Sequence, residues 1–138
     1  MGRPVGRMAG RSRSKMACLI AVILPDGFVV PYVEVAATEA ERRRGLGGRE
    51  SVDSSQGMLF VFDFFGSHPI WMKAMLVPLD VLWLDAGQFV RAFGTLQPGS
   101  MMPQDGGCKS LHVLELAAGQ CVAHGVTIGS QLGFMQTP

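Results

Sequence analysis

The residues whose side chains are best suited to binding or catalysis surround the short segment Trp71-Met72-Lys73. Lys73 follows Trp71 in an otherwise apolar stretch, Asp80 comes shortly after the next proline, and His68 lies just before the segment in a Gly-Ser-His-Pro loop. An indole ring offers a stacking surface, an ammonium group attracts anions, and a carboxylate accepts hydrogen bonds. This combination predicts a shallow ligand-binding site for an anion or a sugar, formed by Trp71, Lys73, Asp80 and His68.

The same residues also have a purely structural interpretation. Lys73 could lay its aliphatic stem along an apolar surface and keep its charge in water, while Asp80 stabilises a turn. The catalytic alternative is a small hydrolase in which Asp80 or His68 acts as the base. Because no complete catalytic constellation is visible, we favour a non-enzymatic module that binds a small ligand or a protein partner, and we assign no catalytic residue.

Two cysteines and two histidines near the end of the chain, Cys108, His112, Cys121 and His124, are spaced like zinc ligands. The residues around His112 alternate like a strand, however, and four strand residues span roughly 13 Å, which is too far for shared coordination. We therefore expect no metal and no cofactor. Cys108 lies in a Gly-rich loop and is expected to be exposed, whereas Cys18 and Cys121 lie among apolar residues and are expected in the core.

Most of the elements that must position these residues are predicted strands. The sequence "VILPDGFVV" predicts a hairpin in which Val22 and Ile23 pair with residues near Val29 and Val30. Further strands are predicted in "GMLFVF", "IWMKAM", "VLWLD" and "KSLHVLEL", and the second and third of these are expected to pair, with Pro78 at the bend. Two glutamates in predicted strands, Glu34 and Glu115, are expected to point outward.

One helix is predicted over residues 38–45. Thr38 can cap it, and Glu41 three residues later completes a capping box. Arginines fill the last turn and Gly45 can end it, which suits the helix dipole. The elements together predict an α+β, mainly β domain: a small, partly closed β-barrel of short, mostly antiparallel strands, with an N-terminal hairpin and this helix.

Composition predicts a single globular domain over residues 16–138, behind a basic leader at residues 1–15 that is expected to be a flexible tail. Hydrophobic residues make up 48% of the 138-residue chain and charged residues 17%. The leader carries five of the 12 basic residues and no acid, so the body is mildly acidic and unsuited to nucleic acid. No apolar run is long enough to span a membrane. We expect a cytoplasmic protein, with export by an N-terminal signal as the alternative.

The order of these motifs resembles a known family. "VEVAATEAERRRGLGGRE", "GMLFVF", "WMKAMLVPLDVLWLD" and "LELAAGQCVAHGVTIGSQL" together resemble the bacterial and archaeal domain-of-unknown-function family 192, over residues 17–132. The resemblance implies a small β-rich domain and no established activity. Two positions depart from the family pattern: Ala74 stands where asparagine usually follows the lysine, and Gly47 stands where methionine usually follows Gly-Leu. Many relatives carry export signals.

Overall fold

The computed structural model describes residues 18–136 as one mixed β-sheet with two short helices. In chain order the elements are β1 (Leu19–Ile23), β2 (Val29–Ala36), α1 (Glu39–Arg44), β3 (Gln56–Gly66), β4 (Leu79–Leu84), β5 (Val90–Leu96), β6 (Ser110–Ala117), α2 (Gln120–Ala123) and β7 (Gly133–Gln136). The strand order in the sheet is β5-β4-β6-β3-β2-β1-β7. Among these seven described strands only β2 and β3 pair in parallel, which confirms a mainly β fold of mostly antiparallel strands. The predicted leader lies outside the described residues.

The sheet does not close into a continuous barrel. Its edge strands are β5 and β7, and a single bridge between Phe89 and Gln131 connects the segments that precede them. Val90 adds two backbone bonds of 2.8 Å, to Ser130 and Gly129. The two edges therefore meet only at one end of the sheet. No helix within the described residues has the length and hydropathy needed to cross a membrane.

The N-terminal hairpin forms as predicted. Val22 pairs with Val30 and Ile23 with Val29, and Gly27 takes the positive φ that the turn requires. The first strand is buried from Ile20 to Val22, whereas Cys18 and Leu19 are exposed at its start. Cys18 is therefore a surface residue and not a core residue.

Helix α1 also follows its local sequence. Thr38 Oγ1 accepts a hydrogen bond from the amide of Glu41 at 3.1 Å, and Glu41 Oε1 accepts from the amides of Thr38 and Ala37 at 3.0 Å. These amide donors are the main reason that the pKa of Glu41 lies below its ordinary value. Gly45, with a φ of 49°, ends the helix. The predicted capping box at Thr38 and the predicted end of the helix at Gly45 are confirmed.

Both faces of the sheet are covered, which explains why β4 is buried at all six positions. Leu82 and Leu84 belong to one hydrophobic cluster, together with much of the hairpin. Val81 and Trp83 belong to a second cluster on the opposite face, which includes residues from the loop before β4. Successive strand residues point to opposite faces, so any polar residue in these central strands must enter one cluster or the other.

The predicted strand "IWMKAM" is wrong, since the chain from Trp71 to Pro78 is a loop. Its backbone bonds go to other loops and turns: Met72 O accepts from Gly99 N at 2.9 Å, and Ala74 O accepts from Gly48 N at 3.1 Å. The partner of β4 in the hairpin is β5, and "VLWL" is buried as expected. The apolar residues of this loop are spaced for a turn rather than for a strand, since Met72 and Met75 are buried and the residues beside them are exposed.

Candidate functional site

A groove of about 410 Å³ lies beside this loop, between helix α1 and the face of the sheet that carries the second cluster. Pro69, Ile70, Trp71, Ala74 and Met75 of the loop form one wall. The opposite wall comes from α1 and the three residues that follow it. The walls are thus contributed by segments far apart in sequence, and the hydrogen bond from Gly48 N to Ala74 O connects these segments.

The inside of the groove is largely aromatic. Phe60 and Phe62 of β3 contribute their rings, and Trp71, which is 52% exposed, stands at the mouth. Leu46 and Ile70, both buried, complete the apolar surface. Such surfaces favour a ligand with a flat or apolar body.

Three consecutive arginines border the groove: Arg42, Arg43 and Arg44. Arg42 is fixed in place, because its Nη1 donates to Ala37 O at 2.7 Å and to Val61 O at 2.8 Å, and its guanidinium lies 5.0 Å from the centre of the Phe62 ring. Arg43 pairs with Glu39 at 3.0 Å on the surface. Arg44 is exposed and makes no ion pair within residues 18–136. The border is therefore positively charged, and Arg44 is the cation most available to a ligand.

The polar group inside the groove is Glu115, so the prediction that its side chain points outward is wrong. It is 3% exposed, it lines the groove, and its Oε1 is buried with no hydrogen-bond partner in the described part of the chain. Burial raises its pKa from 4.5 to about 8, so the carboxyl is mostly protonated at neutral pH. Its strand β6 lies between β3 and β4, and its pairing partners are Met58 and Val81. The sequence does contain a signal for this burial: Glu115 stands in a predicted strand between two apolar residues, Leu114 and Leu116.

Trp71 and Lys73, two of the four predicted ligand-binding residues, lie together. The Lys73 Nζ is 5.1 Å from the centre of the Trp71 ring, in the geometry of a cation–π contact. Lys73 is exposed at the turn of the loop, and it is Trp71, not Lys73, that lines the groove. The lysine can therefore act on a ligand only from the outer side of the indole ring.

Asp80, the third predicted residue, faces the opposite side of the sheet. It is 1% exposed, and its carboxylate accepts from Thr95 Oγ1 at 2.6 Å and from the amide of Cys121 at 2.9 Å. Cys121 belongs to the first hydrophobic cluster. Asp80 thus holds α2 and β5 against β4, and it is separated from Trp71 by the sheet.

His68, the fourth, is buried beneath the loop. Its ring stacks on Phe62 with centroids 3.7 Å apart, and its Nε2 is 2.9 Å from Phe64 O. Its carbonyl accepts from Trp83 Nε1 at 3.0 Å. His68 therefore lies behind one aromatic wall of the groove without lining it, and it supports Phe62 from that side.

The four residues spaced like zinc ligands do not come together. His124 is 2.8 Å from Asp26 and stacks on Phe28, whereas His112 lies in a separate groove with Cys18 and Phe134. Burial lowers the pKa of His112 and raises that of the Cys121 thiol. Within residues 18–136, no three His, Cys, Asp or Glu side chains are grouped to hold a metal ion. Cys108 is half-buried and Cys121 is buried, the latter as expected.

Comparison with known proteins agrees with this fold. The model of domain-of-unknown-function family 192, described as an uncharacterized ACR, matches residues 22–134. A candidate transcription regulator from Sinorhizobium meliloti 1021 is 30% identical over 83% of this chain and 91% of that chain, with a TM-score of 0.75. A protein of unknown function from Novosphingobium aromaticivorans DSM 12444 is 24% identical over 91% of each chain, with a TM-score of 0.78. No relative is found among the curated proteins.

Proposed function

We propose that this chain, which belongs to domain-of-unknown-function family 192, is a non-enzymatic module that binds a small organic anion in the groove beside Trp71. The observation that carries the proposal is that one groove combines an exposed tryptophan, three arginines and a buried carboxyl without a partner. Binding pockets are typically apolar with a few convergent polar groups, and this groove has that composition.

The charge of the border favours an anion over a cation. The groove is lined by three guanidinium groups and by one exposed carboxylate, Glu39, which is already paired with Arg43. Lys73 adds a further positive charge on the outer side of Trp71. A ligand carboxylate or phosphate would thus be attracted to the mouth, while its flat or apolar body packs against Trp71.

The hydrolase alternative has less support. A catalytic base must be within hydrogen-bond reach of the group that it deprotonates. Asp80 is buried on the other face of the sheet with both oxygens bonded, and His68 lies behind Phe62. Neither residue lines the groove.

DNA binding by this chain has little support, although the Sinorhizobium relative is described as a transcription regulator. Residues 16–138 contain 7 basic and 11 acidic residues, whereas DNA-binding surfaces need an excess of basic groups. Of the three clustered arginines, Arg42 and Arg43 are held by bonds within the domain. The arginines therefore fit one small anion better than a run of phosphates.

Tryptophan fluorescence tests the proposal. The chain has two tryptophans; Trp83 is buried with its Nε1 bonded, so Trp71 should report occupancy of the groove. Benzoate and glucuronate are titrated against their neutral counterparts, benzamide and glucose. We expect the two anions to change the emission saturably and the neutral compounds to bind less tightly.

Matched variants locate the site. Trp71→Ala and Arg44→Gln should each weaken benzoate binding about tenfold or more, measured by calorimetry. Tyr32→Ala and Arg91→Gln change an exposed aromatic residue and an exposed arginine outside the groove, and they should bind as the wild type does. Equal affinity for benzoate in the Trp71 and Tyr32 variants would refute the proposal, and tighter binding of glucose than of glucuronate would replace the anion by a neutral sugar.

A further inference from the structure

The carboxyl of Glu115 is unusual for a central strand. The residue lies between the two neighbouring strands of β6, opposite Met58 and Val81, where an apolar side chain would complete the second cluster. Instead it places a polar group against the groove, with Oε1 buried and unpartnered. A buried oxygen without a hydrogen bond lowers stability by about 1–3 kcal/mol, which suggests that the group serves a purpose outside the packing of the domain.

We propose that Glu115 anchors the ligand in the groove. As a neutral acid, it donates a hydrogen bond to an oxygen of the bound anion. The inference rests on the proposed function, and it specifies which ligand atoms the groove selects. A carboxylate, phosphate or sugar-acid oxygen accepts such a bond, whereas an ammonium group cannot.

The surroundings of Glu115 favour the neutral form. Within residues 18–136 no cation is paired with it: Arg42 is bonded to Ala37 and Val61, and Arg43 to Glu39. The elevated pKa of about 8 follows from burial alone. The carboxyl can therefore keep its proton at neutral pH and offer both a donor and an acceptor to a ligand.

Other charged groups around the groove can also contribute to the pH dependence of binding. Helix α1 contributes Glu39 and its three arginines, while the loop contributes Lys73 at the mouth and His68 behind Phe62. The strands on either side of β6 face Glu115 with apolar partners, Met58 and Val81. Because Glu115→Gln removes only the Glu115 titration, any pH dependence that comes from the other groups remains in that variant.

The opposite possibility, a carboxylate that pairs with a cationic ligand, makes the reverse prediction. An ionised Glu115 would attract a protonated amine, and the affinity of the groove for that amine would rise as the pH rises through the pKa of the Glu115 carboxyl. The arginine border opposes this arrangement. Benzylamine, which has a similar ring and the opposite charge to benzoate, distinguishes the two.

The test measures benzoate binding by Trp71 fluorescence at pH 7 and pH 9.5 for the wild type, Glu115→Gln and Glu115→Met. We expect wild-type affinity to fall about tenfold at the higher pH, the equivalent of one hydrogen bond to a charged group. Glu115→Gln keeps a donor and should bind at pH 7 with little change at pH 9.5. Glu115→Met lacks the donor and should bind about tenfold more weakly at both pH values.

The outcomes separate this inference from the proposed function. Benzoate binding that depends on Trp71 but is the same in all three proteins at both pH values overturns the role of Glu115 alone. Benzylamine binding that strengthens with pH in the wild type and vanishes in Glu115→Gln overturns it in favour of a cation site. If no probe changes the emission of Trp71, the binding function and the inference both fail. Thermal unfolding of each variant checks that it is folded. If Glu115→Met does not fold, the pH dependence of benzoate binding in Glu115→Gln alone tests the role of Glu115.

Discussion

Gly47 and Ala74 lie against each other at the wall of the groove. A Cβ placed on Gly47 would stand 3.4 Å from the Cβ of Ala74 and 3.3 Å from the carbonyl oxygen of Arg44. Both residues line the groove, and the adjacent Gly48 donates its amide to Ala74 O at 3.1 Å. These are the two positions at which the family resemblance implies larger side chains, and both carry small residues at the same place in the groove.

Larger side chains at these positions should therefore close the groove. Ala74→Asn and Gly47→Met, which introduce the residues that the family resemblance implies here, should each weaken benzoate binding about tenfold or more, measured by calorimetry. The exposed Ala86→Asn, in the turn between β4 and β5 and outside the groove, is the matched control. Unchanged affinity in both groove variants, with the fold intact, would show that this part of the groove is not used.

The cap of helix α1 should be measurable in isolation. Thr38→Ala removes the acceptor for the Glu41 amide, so we expect the free energy of unfolding to fall by about 1 kcal/mol in urea denaturation. Thr38→Ser keeps a hydroxyl and should lose much less. A midpoint that is the same for the alanine and serine variants would show that the hydroxyl contributes nothing.

The success of the sequence predictions depended on the range of the interactions. The hairpin around Gly27 and the helix after Thr38 were predictable because their signals, a turn and a capping box, involve residues close together in the chain. The loop conformation of the segment "IWMKAM" was not predictable, because its hydrogen bonds go to the distant residues Gly48, Gly99 and Gln104. An apolar segment with distant partners looks the same in sequence whether it is a strand or a loop.

The candidate site shows the same limit. Trp71 was found because an aromatic residue beside a lysine is conspicuous, and the structure does place it at the groove. Asp80 was grouped with it by nearness in sequence, but the alternation of β4 turns Asp80 to the other face. Glu115 was missed because a strand covered on both faces gives no outward side to which a charged residue can be assigned.

Glu115 should make the domain less stable as the pH rises. Its pKa is about 8 in the folded state against an ordinary 4.5, so between these values the folded state holds a proton that the unfolded state has released. This contribution to the free energy of unfolding is therefore largest below pH 4.5 and falls by up to about 1.4 kcal/mol per pH unit until pH 8.

Urea denaturation at pH 5, 6, 7, 8 and 9 measures this effect. Glu115→Gln should flatten the dependence over this range, because the amide does not titrate. Glu39→Gln, a change in an exposed surface pair, should leave the wild-type slope in place. If wild type and Glu115→Gln have parallel profiles, Glu115 does not hold the excess proton.

The last prediction concerns Asp80, whose two bonds give it a structural role that its sequence position did not reveal. Asp80→Ala leaves the buried Cys121 amide without an acceptor, whereas the hydroxyl of Thr95, an exposed residue, can turn to water. We expect a loss of about 3 kcal/mol in the free energy of unfolding, because each bond to a buried carboxylate contributes about 1.5–3 kcal/mol and part is recovered by relaxation.

A double-mutant cycle separates the two bonds. Thr95→Val removes only the hydroxyl donor, so its cost should be smaller than that of Asp80→Ala, and adding it to Asp80→Ala should cost little more. Fully additive losses would mean that the two residues do not interact in solution. Since Asp80 lies across the sheet from Trp71, Thr95→Val should also leave benzoate binding unchanged, and a tenfold loss would instead connect Asp80 to the groove.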